Sequence, residues 1–449
     1  MNNYTLKSTL SCVLPIAIPV AFQTLIVASR QLVDVTMLAQ VSPIDVAASG
    51  LGARILAIAG ITSMGLATAV GILSAQYFGQ ENKQKLSLLT NHALILSLFL
   101  GVILVYILSY SGVFISFSSS DILIIELGSL YLGVSSYSCV PIAIILCLSS
   151  ILRSIHITKE VLLISLSGFI INVIFNCIFI FGLDYIPAMG IKGAAISTVL
   201  SSYIEMFILF IYTKHKCPWI LTRTVPILKS IKISELHKIA HFSVPIIINS
   251  LAFSVGVFLY HAMVAKSSTD NLVVFSVIAT FEMVISFLIT GFAMGLAVLI
   301  GNAIGKQDHS TVHKLSHDSS IIAIGAFMGS LIILLIIYGQ YLLSSFSTLH
   351  LIELKSLSPI LFGFIIFKSI TITLICGILR PIGDVRYCLY QDIICLYLIG
   401  LPLCYISLFT LNMGLHGVVI SMLIEEAVKI LSSKYRPRNK QSIKAIAIN

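Results

Sequence analysis

The sequence predicts an all-α integral membrane protein of twelve transmembrane helices, arranged as two pseudo-symmetric six-helix bundles related by a parallel repeat. Three observations carry that expectation. The 449 residues are 58% apolar and only 10% charged, with a mean hydropathy of +1.04, against roughly 45–50% and about 25% in soluble domains. Charge-free runs at Leu86–Ser120, Leu127–Ile151, Val161–Phe181, Ser319–His350 and Ile393–Met413 each reach the ~20 residues that a helix needs to cross ~30 Å of hydrocarbon. Finally, short motifs recur at an offset of about 226 residues. A soluble metabolic enzyme, a nucleic-acid binder and a secreted disulfide scaffold are excluded. An outer-membrane barrel is excluded too, because its ~10-residue strands would alternate in polarity.

Span 1 (10–38) follows a single basic residue, Lys7, and runs apolar as far as Ala28 without an A-x-A cleavage pattern. It therefore reads as a transmembrane helix and not as a signal peptide. Pro15 and Pro19 free backbone carbonyls within it, permitting a bend or fixing a kink. Span 2 (48–77) closes on Ala75-Gln76-Tyr-Phe-Gly79, and spans 3 (88–114), 4 (124–150) and 5 (160–182) fall largely in charge-free runs. Span 6 (191–213) opens at Met189-Gly-Ile-Lys-Gly193. The longest polar stretch, His215–His241, carries the central basic cluster and divides the chain nearly in half. It separates an N-terminal bundle (1–214) from a C-terminal bundle (242–432) by a linker (215–241), with a basic tail at 433–449. The second bundle holds spans 7 (242–264), 8 (272–303), 9 (318–345), 10 (355–378), 11 (388–410) and 12 (414–432). The nine cysteines show no CxxC spacing and read as small core residues, so neither a metal site nor a cofactor is expected.

Charge orients the spans, since cytoplasmic loops retain Lys and Arg. Of 27 basic residues, 21 lie at the termini, in the linker or in the even-numbered turns. Both termini are thus expected in the cytoplasm of a protein of the inner membrane, and the net charge of +9 reflects topology, not a nucleic-acid partner.

The repeat is ordered. Met37-Leu-Ala-Gln40 with Asp45 matches Met263-Val-Ala-Lys266 with Asp270, and Ala75-Gln76-Tyr-Phe-Gly79 matches Gly301-Asn302-Ala-Ile-Gly305. Ile151-Leu-Arg153 matches Ile378-Leu-Arg380, and Met189-Gly-Ile-Lys-Gly193 matches Met413-Gly-Leu-His-Gly417. Six crossings is an even number, so both halves keep one orientation, as in alternating-access secondary transporters. No Walker A motif is present, so the driving force must be an ion gradient.

These motifs resemble the multidrug and toxic compound extrusion (MATE) family over nearly the whole chain. The resemblance rests on Leu32-Val-Asp34-Val-Thr-Met37 in span 1, the close of span 2, Leu152-Arg153 after span 4, Asn172 in span 5 and Pro187-Ala-Met-Gly-Ile-Lys-Gly193 before span 6. Leu379-Arg380-Pro-Ile-Gly383-Asp384-Val-Arg386 in the second half is similar to the family's Leu-Arg-Gly-x-Gly-Asp-Thr-Arg turn. The resemblance implies export of amphipathic, often cationic, compounds in exchange for H⁺ or Na⁺, and an essential carboxylate at Asp34. Two departures stand out. Arg153-Ser-Ile-His156 replaces the usual Gly-Asp turn. Where sodium-coupled members carry acids in spans 7 and 10, the neighbourhoods of Phe253 and Lys368–Ser369 have none, which favours H⁺.

An ionisable residue within a span costs several kcal/mol unless paired or hydrated, about 2.5–3.5 on insertion scales. Asp34 is the leading coupling candidate; Arg30, four residues earlier, shares its helix face. The two read either as a structural pair or as a coupling carboxylate with a basic neighbour. Asn172 and Asn176 form a polar stripe in span 5 that serves Asp34 or acts as interhelical glue. Glu282 in span 8 is a second cation or proton site, or a hydrogen-bonded interhelical acid. Tyr260, at the position matching Asp34, and His261 are secondary candidates, with Lys368, which pairs with Glu282 or Asp392 or repels cations, and Asp392 itself. Glu205 reads as a helix–helix contact, and Glu425 and Glu426 are expected to face water or the basic tail.

The leading functional expectation is therefore a non-enzymatic exporter of small amphipathic substrates, acting as a monomer in the bilayer. A lipid-linked oligosaccharide flippase would want a basic cavity, for which only Arg30 and Lys368 are available. A membrane-embedded enzyme would want a His/Asp/Glu cluster that the spans lack.

Overall fold

The computed structural model describes residues 6–116, 121–183, 185–221, 233–316, 327 and 348–435. Among them, ten helices are long and apolar enough to cross a membrane. Helices satisfy every backbone polar group within one segment, which a bilayer requires. Span 1 is Leu6–Leu38, running unbroken through Pro15 and Pro19, span 2 is Pro43–Gly79, and span 3 is Lys83–Leu108. Span 4 is Ile122–Ser154 with a 3₁₀ turn at Ser136–Ser138. Spans 5 to 8 are Lys159–Phe181, Gly190–Lys216, Ile233–Ser267 and Thr269–Gly305. Span 10 begins at Thr348 and passes through a π-helical turn at Thr373–Leu379. Span 11 begins at Val385 and has two such turns, Ile394–Gly400 and Ile406–Thr410. The segment expected as span 12 is the helix Gly414–Tyr435, which is not one of the ten. The segment expected as span 9, Phe327 excepted, lies outside the described residues, as do 222–232 of the linker and the tail beyond 435.

The repeated motifs mark repeated backbone turns. Positive φ occurs at Glu81 (58°) and Gln307 (60°), at His156 (66°) and Gly383 (102°), and at Gly190 (53°) and Gly414 (57°). Each pair occupies matching places in the two halves. His156 thus holds the left-handed turn that Gly383 adopts freely, at a cost for an L-residue of roughly 1–2 kcal/mol. The helices after the first matched turn are capped alike. Asn82 Oδ1 accepts from the Lys85 amide at 3.0 Å, and Asp308 Oδ1 accepts from the Thr311 amide at 3.1 Å, as side-chain N-caps do. The hydroxyls of Thr311 and Ser310, with the Thr311 amide, hold the Asp308 carboxyl down at about 2.

Packing divides the chain into two compact units, Phe22–Ile247 and Met1–Ala21 with Ile248–Asn449, so the division falls inside span 1. In the unit built on Phe22–Ile247, Leu38, Ala48, Tyr131, Ile180 and Ile191 form one core cluster. In the other, Val13 and Ala17 of span 1 join Phe292, Leu296 and Ile300 of span 8. There the backbones touch, and a Cβ at Gly291 would collide with Ala21. A second cluster gathers Val264, Phe275, Leu357, Phe364 and Val418.

One expectation is corrected. Glu425 and Glu426 do not face water or the tail; they are buried, 4% and 5% exposed. The ammonium of Lys429, one turn along the same helix, lies 2.6 Å from Glu425 and 3.6 Å from Glu426 and makes their burial tolerable.

Candidate functional site

Each unit encloses a polar cluster. In the unit of Phe22–Ile247, Asp34 on span 1 is 6% exposed. Asn176 on span 5 donates its amide NH₂ to Asp34 Oδ1 at 2.5 Å, and Thr198 Oγ1 on span 6 lies 3.3 Å from Oδ2. Among the described residues, Asp34 forms no ion pair. Arg30 turns to span 6 instead, where its guanidinium meets Glu205 at 2.5 Å and lies 3.4 Å from the Ser165 carbonyl. Asn172, one turn before Asn176, is 1% exposed, and neither its amide nitrogen nor its oxygen has a hydrogen-bond partner among the described residues. A buried amide without partners is costly.

Below this group, Arg153 donates to Gln23 Oε1 at 3.0 Å and to Ser150 at 2.9 Å, while Gln23 Nε2 donates to Ser165 at 2.9 Å. The same device recurs in the other unit. Arg380 donates to Asn249 Oδ1 at 3.1 Å, and Asn249 Nδ2 donates to Asp392 at 2.8 Å. Gln23 and Asn249, Arg153 and Arg380, and Ser165 and Asp392 stand 226 or 227 residues apart. In both units an amide on the first span bridges the Leu-Arg turn after the fourth to the helix that follows.

Around this clamp the two units differ. At the place of Asp34 the second unit has Tyr260, whose hydroxyl donates to Glu425 at 2.8 Å. The Lys429 ammonium, 2% exposed, is shared by Glu425, Glu426 and, at 3.8 Å, Asp392. Lys368 donates to Glu282, and its ammonium lies 5.7 Å from the Phe253 ring centroid and 5.4 Å from that of Phe364. A recess bordered by Tyr260, His261, Glu282, Lys368, Glu425 and Glu426 opens beside these groups. His261 Nδ1 bonds the Val257 carbonyl at 2.9 Å, and the ring stands edge-on to Phe275 at 4.9 Å.

The structure therefore gathers Asp34, Asn176 and Thr198; it sets Arg30 against Glu205, and Glu282 against Lys368. Tyr260 and Asp392 belong to the Lys429 cluster. Sequence reasoning missed Gln23, Thr198, Asn249 and Lys429, and marked Arg153 and Arg380 as repeat motifs without giving them partners. Two signals were available: the i, i+3 and i+4 spacing of Glu425, Glu426 and Lys429, and the matched offsets of the two amide clamps.

A family model described as MatE matches residues 19–178 and 245–406. Among relatives, the uncharacterized transporter YisQ of Bacillus subtilis is 23% identical over 90% of this chain and 89% of its own. The multidrug resistance protein NorM of Photobacterium profundum is 24% identical over 94% of this chain and 93% of its own. The fold is similar to that of an outward-facing multidrug resistance MATE family transporter of the MOP superfamily, with a TM-score of 0.84 at 20% identity over 95% of this chain and 96% of that one. It is also similar to the eukaryotic MATE transporter AtDTX14, with a TM-score of 0.85 at 16% identity over 99% of each chain. With its motifs, its paired turns and a family match over most of its length, this chain belongs to the MATE family of membrane transporters.

Proposed function

We propose that the chain is a secondary active exporter of amphipathic, often cationic, organic compounds, driven by exchange for H⁺ through Asp34. It works by alternating access, as a monomer in the inner membrane with both termini in the cytoplasm. The observation that carries this reading is the surroundings of Asp34: a buried carboxylate whose hydrogen-bond partners are neutral, while the nearby guanidinium is engaged by Glu205. An uncompensated buried carboxylate is stable when protonated or when a cation is beside it. Proton and cationic substrate thus compete for one group, and their alternation couples inward proton flow to outward export. Asn172 and Asn176 orient the carboxylate and take up the hydrogen-bonding change between its two forms.

The test is ΔpH-driven efflux of ethidium from proteoliposomes. Asp34→Asn preserves size and hydrogen bonding but cannot titrate; it is expected to purify as a monodisperse protein and to lose ΔpH-driven efflux. Full transport by that variant would remove Asp34 from the mechanism.

A further inference from the structure

The Lys368 ammonium in the second unit is held as a bound ligand would be. It is hydrogen-bonded to Glu282, and the rings of Phe253 and Phe364 lie within 5.7 Å of it, inside the ~6 Å reach of cation–π attraction. A carboxylate with two aromatic faces is the chemistry that recognises substituted ammonium groups. Three carboxylates, Glu282, Glu425 and Glu426, border the recess against one ammonium, Lys368. Lys429, behind them, divides its charge among Glu425, Glu426 and Asp392. Glu426 Oε2 is buried and has no hydrogen-bond partner among the described residues. The recess therefore holds an occupied cation seat, and Glu426 on its border keeps one oxygen without a hydrogen-bond partner among the described residues.

We propose that Lys368 is a tethered occupant of an organic-cation site formed by Glu282, Phe253 and Phe364, and that a lipophilic ammonium ligand binds there by displacing it. The displaced lysine turns on its flexible four-carbon stem to the free oxygen of Glu426, so neither charge is stranded. Lys368 then sets affinity: a ligand must outcompete an ammonium that is always present, which favours permanently charged aromatic cations over primary amines. The inference deepens the reading of the chain as an exporter of organic cations and rests on it for the ligand class, but it concerns equilibrium binding and not coupling.

Ethidium binding to the purified full chain, followed by fluorescence without any gradient, tests it. Lys368→Met empties the seat and is expected to tighten binding about tenfold, the scale of a desolvated cation–π and ion-pair contact. Phe253→Ala with Phe364→Ala in that background should reverse the gain. Because Lys368→Met leaves Glu282 without its partner and can impair folding, Lys368→Arg provides a charge-conserving second variant. Its planar guanidinium grips a carboxylate and stacks on rings more firmly, so ethidium should bind about tenfold more weakly. Ethidium affinity indifferent to both substitutions would overturn the proposal while leaving the exporter reading intact. Failure of every form, wild type included, to bind ethidium would overturn both.

Discussion

Arg30 and Glu205 meet at 2.5 Å between spans 1 and 6, so the guanidinium one turn from Asp34 is paired with another helix. Had Arg30 folded back on the residue one turn along its own helix, Asp34 would be half of a neutral pair. With Glu205 as the partner, the guanidinium is paired across to span 6, and the hydrogen-bond partners of Asp34 among the described residues are the neutral Asn176 and Thr198.

The pair itself should be strongly cooperative. Arg30→Gln or Glu205→Gln alone leaves a buried charge unmatched and is expected to cost about 3–5 kcal/mol. The double variant should recover most of that loss, since buried pairs replaced together are often near neutral. Thermal unfolding in detergent reads the cycle; additive losses would show that the two do not act as a pair.

Export should follow ΔpH and remain unchanged when Na⁺ is replaced by K⁺. Asn176 presents its NH₂ to Asp34, whereas a sodium ion would require oxygen ligands on that side. Efflux measured in proteoliposomes under imposed ΔpH or ΔpNa gives the answer. Strict Na⁺ dependence would mean that the side-chain oxygens of Asn172 and Asn176 turn inward as ligands.

Gly291→Ala should destabilise the chain by about 1–3 kcal/mol, the usual cost of overpacking, because its Cβ would meet the backbone of Ala21. Gly60→Ala is the matched control, with nothing within 4 Å of the added carbon. It should be neutral or stabilising by about 0.5–1 kcal/mol, the helix-propensity gain. Equal unfolding temperatures for the two variants would contradict the close approach of spans 1 and 8.

A reporter fused after Asn449 and another inserted in the 215–241 linker should both read cytoplasmic, because 21 of 27 basic residues lie at the termini, in the linker or in the even-numbered turns, and cytoplasmic loops retain Lys and Arg. A signal from the opposite side for either would overturn the two-by-six topology.

The spans were legible because a bilayer demands long, uniformly apolar helices, and Asp34 was legible because a lone carboxylate stands out in such a segment. Asn176 could be placed near it from its spacing with Asn172. The partner of Arg30 could not, since Glu205 lies 175 residues away and only the packing of span 6 against span 1 brings it close. Glu425 and Glu426 were misread for a related reason: their nearness to a basic tail in the sequence outweighed Lys429 one turn away, which is their ion-pair partner. The π-helical turns at Thr373–Leu379, Ile394–Gly400 and Ile406–Thr410 left no mark, because no residue preference announces a widened turn as glycine announces a positive φ.

The matched left-handed turns at Glu81 and Gln307, His156 and Gly383, and Gly190 and Gly414 imply that the ancestry of the two halves is preserved in dihedral angles more faithfully than in letters. A glutamate, a glutamine and a histidine occupy conformations that glycine would take without strain, and the turn survives each change of side chain. Each corner of the repeat is thus defined by a backbone conformation and not by a particular side chain.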